Sequence, residues 1–115
     1  MKRIIAVVLL SGLSLTAAAE IAVPEKAAAC AACHGEGGAK PITPNYPILA
    51  GQYANYLEHT LKEYRSGVRK NPVMSAQAVS LTDKEIKELS HYFDRYPSTL
   101  HTPNVHATAG AAHRE

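Results

Sequence analysis

The pentapeptide Cys30-Ala-Ala-Cys33-His34 restricts what this chain can fold into more than any other feature of its sequence. Cys-x-x-Cys-His is the signature of covalent haem attachment. Two cysteines three residues apart at the end of a helix can both add to vinyl groups on one edge of a porphyrin. The next residue then projects over the ring, where an imidazole can bind iron. The motif therefore predicts one covalently bound haem c, with thioethers at Cys30 and Cys33 and with His34 as an iron ligand.

Two other kinds of site also use closely spaced cysteines. A thioredoxin-like dithiol is expected in a βαβ context, and no strand pattern occurs in this sequence. A structural zinc ion needs four ligands, and the chain has no second cysteine pair. A disulfide between the two cysteines would close too short a loop to stabilise distant parts of the fold. The sequence therefore favours haem attachment over a dithiol site, a zinc site or a disulfide.

The first nineteen residues have the layout of a secretory signal peptide. A basic start at residues 1–3 precedes a short apolar run at residues 4–15, and alanines at 17–19 suit a cleavage site. We therefore predict a signal peptide at 1–19 and a periplasmic location, with an uncleaved anchor as the alternative that the short run disfavours. Cleavage would leave 115 − 19 = 96 residues, with 12 − 2 = 10 basic side chains against 10 acidic ones. This balance argues against nucleic-acid binding.

Three segments of the remaining chain have helical patterns. Residues 24–32 combine an early proline with five alanines, and residues 52–66 place tyrosines and leucines on one face before Gly67. Thr82-x-x-Glu85 is a capping box that begins a third helix, which we expect to end before Pro97.

The intervening segments, 39–51 and 68–81, contain helix-breaking residues and are predicted as loops. These residues are the prolines at 41, 44 and 47 and the pair Asn71-Pro72. We expect one all-α domain at 20–97 and a disordered tail at 98–115. Three short helices bury too little surface for a chain of this size, so a haem would supply the missing core.

Met74 is the candidate for the second iron ligand. It is the only methionine that remains once Met1 is removed, and it lies in the predicted 68–81 loop. A thioether ligand raises the reduction potential relative to a second histidine. The alternatives are that Met74 only fills the core, or that His59 or His91 binds the iron, although both histidines are expected at the surface.

Over residues 24–96 the chain resembles class I cytochromes c. The matching pieces are the attachment motif, the segment Pro47-Ile-Leu49-Ala-Gly51, Met74, and the last helix through Phe93. The segments around Leu49 and Gly67-x-Arg69 resemble one half of bacterial dihaem cytochromes and the haem subunit of flavocytochrome c sulfide dehydrogenase. A single attachment motif indicates a monohaem relative.

The resemblance implies a class I cytochrome c fold, with three to four short helices and long loops around one haem. It implies that the Pro47 carbonyl accepts a hydrogen bond from Nδ1–H of His34 and that Gly51 lets the backbone approach the haem. It also implies that Leu89 and Tyr92 cross the first helix near Ala28. The candidates for hydrogen bonds to the haem propionates are Tyr46, Tyr53 and Arg69.

With His34 and Met74 both bound to iron, the chemistry expected is one-electron exchange rather than catalysis on a small molecule. The first hypothesis is a periplasmic shuttle between a membrane reductase and a terminal oxidase or reductase. The second is a haem subunit that accepts electrons from a flavoprotein, as in flavocytochrome c. A haem catalyst or gas sensor is the third, and it would need an open iron position.

Overall fold

The computed structural model of the chain describes residues 21–100. The predicted signal peptide at 1–19 and all but the first three residues of the predicted tail lie outside this range. The described part is all-helical, with one short 3-10 turn at Glu36–Gly38. Its four helices are α1 at Ala27–His34, α2 at Ala54–Ser66, α3 at Pro72–Ala78 and α4 at Asp83–Arg95.

Helix α1 contains the whole Cys-x-x-Cys-His motif. It begins three residues later than predicted, because residues 24–26 form a turn in which the Pro24 carbonyl accepts the Ala27 N–H at 3.0 Å. It also ends later, at His34 rather than at residue 32, and Gly35 then leaves the helix with φ +78°. The motif is thus helical, which places Cys30 and His34 one turn apart on the same side of α1.

Helix α2 ends where the sequence predicts, with Gly67 in the left-handed conformation at φ +78°. The predicted apolar face is only partly inside the core. Leu57 is buried, and Leu61 and Tyr64 pack against the core from half-buried positions. Tyr56 remains 46% exposed.

Helix α3 corrects the prediction of a continuous loop at 68–81. Asn71 and Pro72 begin a helix here instead of interrupting one. The Asn71 side chain accepts hydrogen bonds from the N–H groups of Val73 and Met74, both at 3.0 Å. Asparagine is a preferred N-cap, and proline fits the first helical position because that N–H needs no partner.

Helix α4 is built as the sequence predicts. The Thr82 hydroxyl accepts the Glu85 N–H at 3.2 Å, and the Glu85 carboxylate accepts the Thr82 N–H at 2.8 Å. The apolar stripe of α4 is buried, and it forms the core with residues of the other helices and of the link before α4. The buried cluster consists of Ala27, Leu57, Ala78, Leu81, Ile86, Leu89, Tyr92 and Phe93.

The first helix meets this cluster through Ala27. Ala28, the position that the resemblance implies, is exposed. The expected partners Leu89 and Tyr92 are both in the cluster. Ala27, the neighbour of Ala28, is thus the residue of α1 that is buried in the cluster, and the half-buried Cys30 packs against it.

Candidate haem-binding site

His34 is buried and its ring orientation is fixed. The side chain is 4% exposed, and Nδ1 lies 2.8 Å from the carbonyl oxygen of Pro47. A carbonyl can only accept, so Nδ1 carries the proton and Nε2 keeps its lone pair in the neutral ring. The Tyr46 ring meets the imidazole edge-on, with 5.8 Å between centroids. The ring is therefore held in the tautomer that a metal ligand needs, and the hydrogen bond implied by the resemblance is present.

The segment that carries Pro47 is anchored by the turn after α1. The Gly38 carbonyl accepts the N–H groups of Leu49 at 2.8 Å and Ala50 at 3.2 Å. Gly38 has φ +71°, and a Cβ atom there would lie 2.6 Å from the Leu49 side chain. The N–H of Gly51 also donates to the Phe93 carbonyl of α4 at 2.9 Å. These contacts fix the carbonyl that orients His34.

Gly51 lies close to the segment that follows α4, and the approach to the haem that the resemblance implies stays a prediction. A Cβ atom at Gly51 would lie 2.9 Å from the Ser98 side chain and 3.2 Å from the Leu100 carbonyl oxygen. Within the described residues, this glycine therefore admits the segment immediately after α4.

The two cysteines are free thiols on α1, and both are half-buried. Cys30 packs against the buried core, and its Sγ lies 3.6 Å from the Lys26 carbonyl oxygen. Burial is the main reason why the pKa of Cys30 is raised from its ordinary value of 9.0, and the neighbouring Cys33 adds to the effect. Before haem attachment the Cys30 sulfur is therefore a protonated, uncharged thiol at neutral pH.

Met74 lies on α3, a different element from the other predicted ligands. Its side chain is half-buried. Within residues 21–100 it shares no hydrogen bond with Cys30, Cys33 or His34. The structure thus joins His34 to Pro47 directly and places Met74 on a separate helix that packs against α2.

The rival histidines differ in their surroundings. His59 is exposed, as predicted, and its Nε2 lies 3.2 Å from the Glu63 carboxylate one turn along α2. His91 is half-buried on α4. It is among the charges that lower the pKa of Glu58, although the hydrogen bond from Lys62 is the main cause.

Arg69, one of the candidate propionate partners, lies beside α2. Its guanidinium carbon is 5.2 Å from the centroid of the Tyr64 ring, and Nη1 is 3.8 Å from the Glu63 carboxylate. The pKa of Arg69 is raised chiefly by a hydrogen bond with Tyr56. The guanidinium thus contacts side chains of α2, while the Arg69 side chain remains 42% exposed.

Tyr46 and Tyr53 are the other two candidate propionate partners. Tyr46 lies next to His34, with its ring edge-on to the imidazole. Tyr53 immediately precedes α2 and is 36% exposed. Of the three candidates, Tyr46 is the one that the structure places beside a predicted iron ligand.

The described part of the chain, residues 21–100, holds no group of three His, Cys, Asp or Glu side chains that could bind a metal ion. A haem iron needs no such group, since the porphyrin itself supplies most of its ligands. No helix within the same range has the length and apolar character needed to cross a membrane.

A family model described as "Cytochrome C oxidase, cbb3-type, subunit III" matches residues 22–93, which is well over half of the chain. The chain belongs to the cytochrome c family. The matched range contains α1, α2, α3 and nearly all of α4.

Relatives of the chain are cytochromes c and electron acceptors. It is 40% identical over 72 residues to cytochrome c-554(548) of Halomonas halodenitrificans, covering 60% of this chain and 86% of the relative. It is 37% identical over 113 residues to the thiosulfate dehydrogenase electron acceptor of Thiomonas intermedia, covering 96% of this chain and 52% of the relative. The match to cytochrome c4 of Pseudomonas aeruginosa is 37% identical over 84 residues, covering 73% of this chain and 41% of the relative. The chain therefore spans about half the length or less of two of these relatives.

A solved structure has the same fold. Thiosulfate dehydrogenase (TsdBA) from Marichromatium purpuratum matches with a TM-score of 0.55 and 35% sequence identity, covering 72% of this chain and 18% of that one. The predicted class I cytochrome c fold is thus confirmed. Family membership also confirms covalently bound haem c as the cofactor and electron transfer as the function. The chain is a haem-based electron-transfer protein.

Proposed function

We propose that the chain is an exported, monohaem electron carrier in which Cys30 and Cys33 attach the haem while His34 and Met74 bind its iron. The observation that carries this proposal is the 2.8 Å hydrogen bond from Nδ1 of His34 to the Pro47 carbonyl. Metal-binding histidines almost always donate their second ring N–H to such a partner. The donor set fits haem c, since two thiols, an oriented imidazole and a thioether are the groups that this cofactor uses.

The bound haem would supply reversible one-electron chemistry at its iron. Pro47 keeps the His34 ring in one orientation and increases the basicity of Nε2. Thioether bonds at Cys30 and Cys33 would hold the attachment edge to α1. With Met74 as a second ligand, the chain would offer no site for a substrate, and the same ligands would serve both oxidation states.

Export to the periplasm is supported by the leader-like pattern of residues 1–19. The same chain also carries the Cys-x-x-Cys-His attachment motif, and we propose that both features belong to one exported haem protein. We propose that the mature chain begins at Glu20 and spans the cytochrome domain at 20–97.

A second candidate function is that of an electron-accepting subunit for a dehydrogenase. It is supported by the thiosulfate dehydrogenase electron acceptor of Thiomonas intermedia, which aligns with 96% of this chain. The resemblance to flavocytochrome c offers a flavoprotein as the other possible donor. We favour an enzyme donor of the thiosulfate dehydrogenase kind over a membrane reductase.

The ligand assignment is tested by mass determination and absorption spectroscopy of the holoprotein. We expect a mass equal to the chain from Glu20 plus one haem, and a weak near-infrared iron–sulfur band in the oxidised state. The band should disappear in Met74→Ala and persist in Val73→Ala, an exposed neighbour on α3. Absence of the band from the wild type, or rapid carbon monoxide binding by the native reduced protein, would refute ligation by Met74.

The donor is tested by stopped-flow reduction of the oxidised holoprotein. Thiosulfate with purified thiosulfate dehydrogenase should reduce it, whereas thiosulfate alone should not. Faster reduction by a flavoprotein sulfide dehydrogenase with sulfide would favour the flavocytochrome-like role instead.

A further inference from the structure

Arg65 connects the end of α2 to the beginning of α4. Its Nη1 donates to the Leu81 carbonyl at 2.9 Å, and its Nη2 donates to the Asp83 carboxylate at 2.6 Å. The side chain is 29% exposed. One guanidinium therefore holds the residues on both sides of Thr82, the N-cap of α4.

The chain between these anchors is the part that carries Met74. Residues 66–80, called here the Met74 segment, run from the end of α2 through α3 to the link before α4. We infer that Arg65 is a positioning residue for Met74, because it ties the two ends of this segment together. The inference rests on the proposed ligation of haem iron by Met74.

Apart from Arg69, whose N–H donates to the Glu63 carbonyl and whose guanidinium contacts Tyr64, the Met74 segment has few other attachments to the rest of the fold. Ala78 is its only buried residue, while Val68 and Val79 are 72% and 66% exposed. The hydrogen bonds of Asn71 to Val73 and Met74 are internal to the segment and do not fix its position. Segments with little buried apolar contact open most easily, so the attachment at its ends decides how well α3 is held.

The two contacts of Arg65 are unequal. The bond to Leu81 is partly buried and has a charged donor, a type of hydrogen bond that stabilises well. The ion pair with Asp83 stabilises little, because that carboxylate side chain is 75% exposed. Lysine could replace only one contact, since it lacks the planar fork of arginine. The carbonyl bond is thus the important one.

The test is imidazole binding to oxidised holoprotein, since imidazole can bind the iron only after Met74 leaves. We expect Arg65→Gln to bind imidazole roughly tenfold more tightly than the wild type. Arg65→Lys should give a smaller increase, and Asp83→Asn less than about threefold. Lys62→Gln is the matched control, because it removes a positive charge from α2 whose ion pair with Glu58 lies within the same helix.

Two further readouts separate positioning from general destabilisation. Arg65→Gln should speed hydrogen exchange at the Val79 amide, which closes α3 onto Ser75 at 3.0 Å, and exchange at Leu89 in α4 should change less. The urea midpoint is measured for every variant. A loss of global stability in Arg65→Gln with unchanged imidazole affinity would overturn the inference, and so would an equal gain in Lys62→Gln.

The outcomes also distinguish the two levels of the proposal. A wild-type holoprotein without the iron–sulfur band would refute ligation by Met74 itself. A wild type with the band, together with Arg65→Gln and Arg65→Lys variants that bind imidazole as it does, would refute only the role of Arg65. Should Arg65→Gln not fold, Arg65→Met, which keeps an unbranched apolar side chain but neither hydrogen bond, decides the question by the same imidazole titration.

Discussion

Gly37 lies in the 3-10 turn that follows the haem-attachment helix α1, and a single methyl group there should destabilise the fold. It has φ +59°, and a Cβ atom there would lie 2.2 Å from ring atoms of Tyr96. Gly67 is a matched comparison, since it has φ +78° but nothing within 4 Å of the same position. Replacing each with alanine separates the steric effect of Tyr96 from the effect of the backbone conformation.

The expected size of each effect can be worked out from these contacts. An alanine in the left-handed conformation costs about 1–2 kcal/mol, offset by about 0.4–1 kcal/mol from the restricted unfolded chain. Gly67→Ala should therefore destabilise by about 1 kcal/mol. Gly37→Ala must also displace Tyr96 from its edge-to-face contact with Tyr92, where the centroids are 5.7 Å apart. That contact adds about 0.5–1.5 kcal/mol.

The assay is urea unfolding of the oxidised holoproteins at pH 7, analysed by linear extrapolation with slopes compared between variants. Gly37→Ala should destabilise by about 1.5–2.5 kcal/mol. In a Tyr96→Ala background the same substitution should cost only about as much as Gly67→Ala. Equal losses for the two single glycine variants, or no coupling between Gly37 and Tyr96, would refute the steric argument.

Three other predictions concern the cap of α4 and the partner of His34. Thr82→Ala should lower the free energy of unfolding by about 1 kcal/mol in the same assay, because it removes the acceptor of the Glu85 N–H. The pKa of Glu85 is lowered from 4.5, mainly by the Thr82 N–H. The stabilisation is therefore present above that pH and lost as the pH falls through the lowered value, so Glu85→Gln should flatten this part of the pH–stability curve. Pro47→Ala keeps the backbone carbonyl that accepts the hydrogen bond from His34. Voltammetry should therefore show a shift in reduction potential of less than about 30 mV, which is half the one-electron equivalent of a tenfold change. A much larger shift would mean that the proline ring itself affects the potential.

The sequence predicted best where one residue type has one physical role. The Thr82–Glu85 box and the Gly67 cap depend on backbone groups a few residues away, so their local pattern is sufficient. The stripe of α4 was correct for the same reason, since helical periodicity alone places Ile86 and Phe93 on one face. The cofactor was predicted from the five-residue motif and the fold class from the helical patterns and the family resemblance, and the comparisons with known proteins confirm both.

The boundaries of α1 were predicted less well because they depend on the surrounding chain. Pro24 fits a first helical turn, but in the structure its carbonyl closes a separate turn onto Ala27. The continuation to His34 also brings the imidazole to the Pro47 carbonyl, thirteen residues away. A single-sequence pattern contains no information on a contact of that separation, so only the family resemblance could indicate it.

The missed helix α3 shows how a local signal can be interpreted in the wrong direction. The pair Asn71-Pro72 interrupts a helix when it lies inside one, but it begins a helix when the proline is the first helical residue. In the first case helical residues precede the proline, whereas in the second an N-cap precedes it. The seven residues from Pro72 to Ala78 also include three alanine-or-serine positions and no apolar stripe long enough to recognise. The Asn71 cap begins α3, and two tertiary contacts support it: the burial of Ala78 and the link of Arg65 across the segment ends. A ligand on a weakly attached helix is held as firmly as those contacts allow, so the stability of the proposed bond to Met74 depends on residues outside the haem-binding motif.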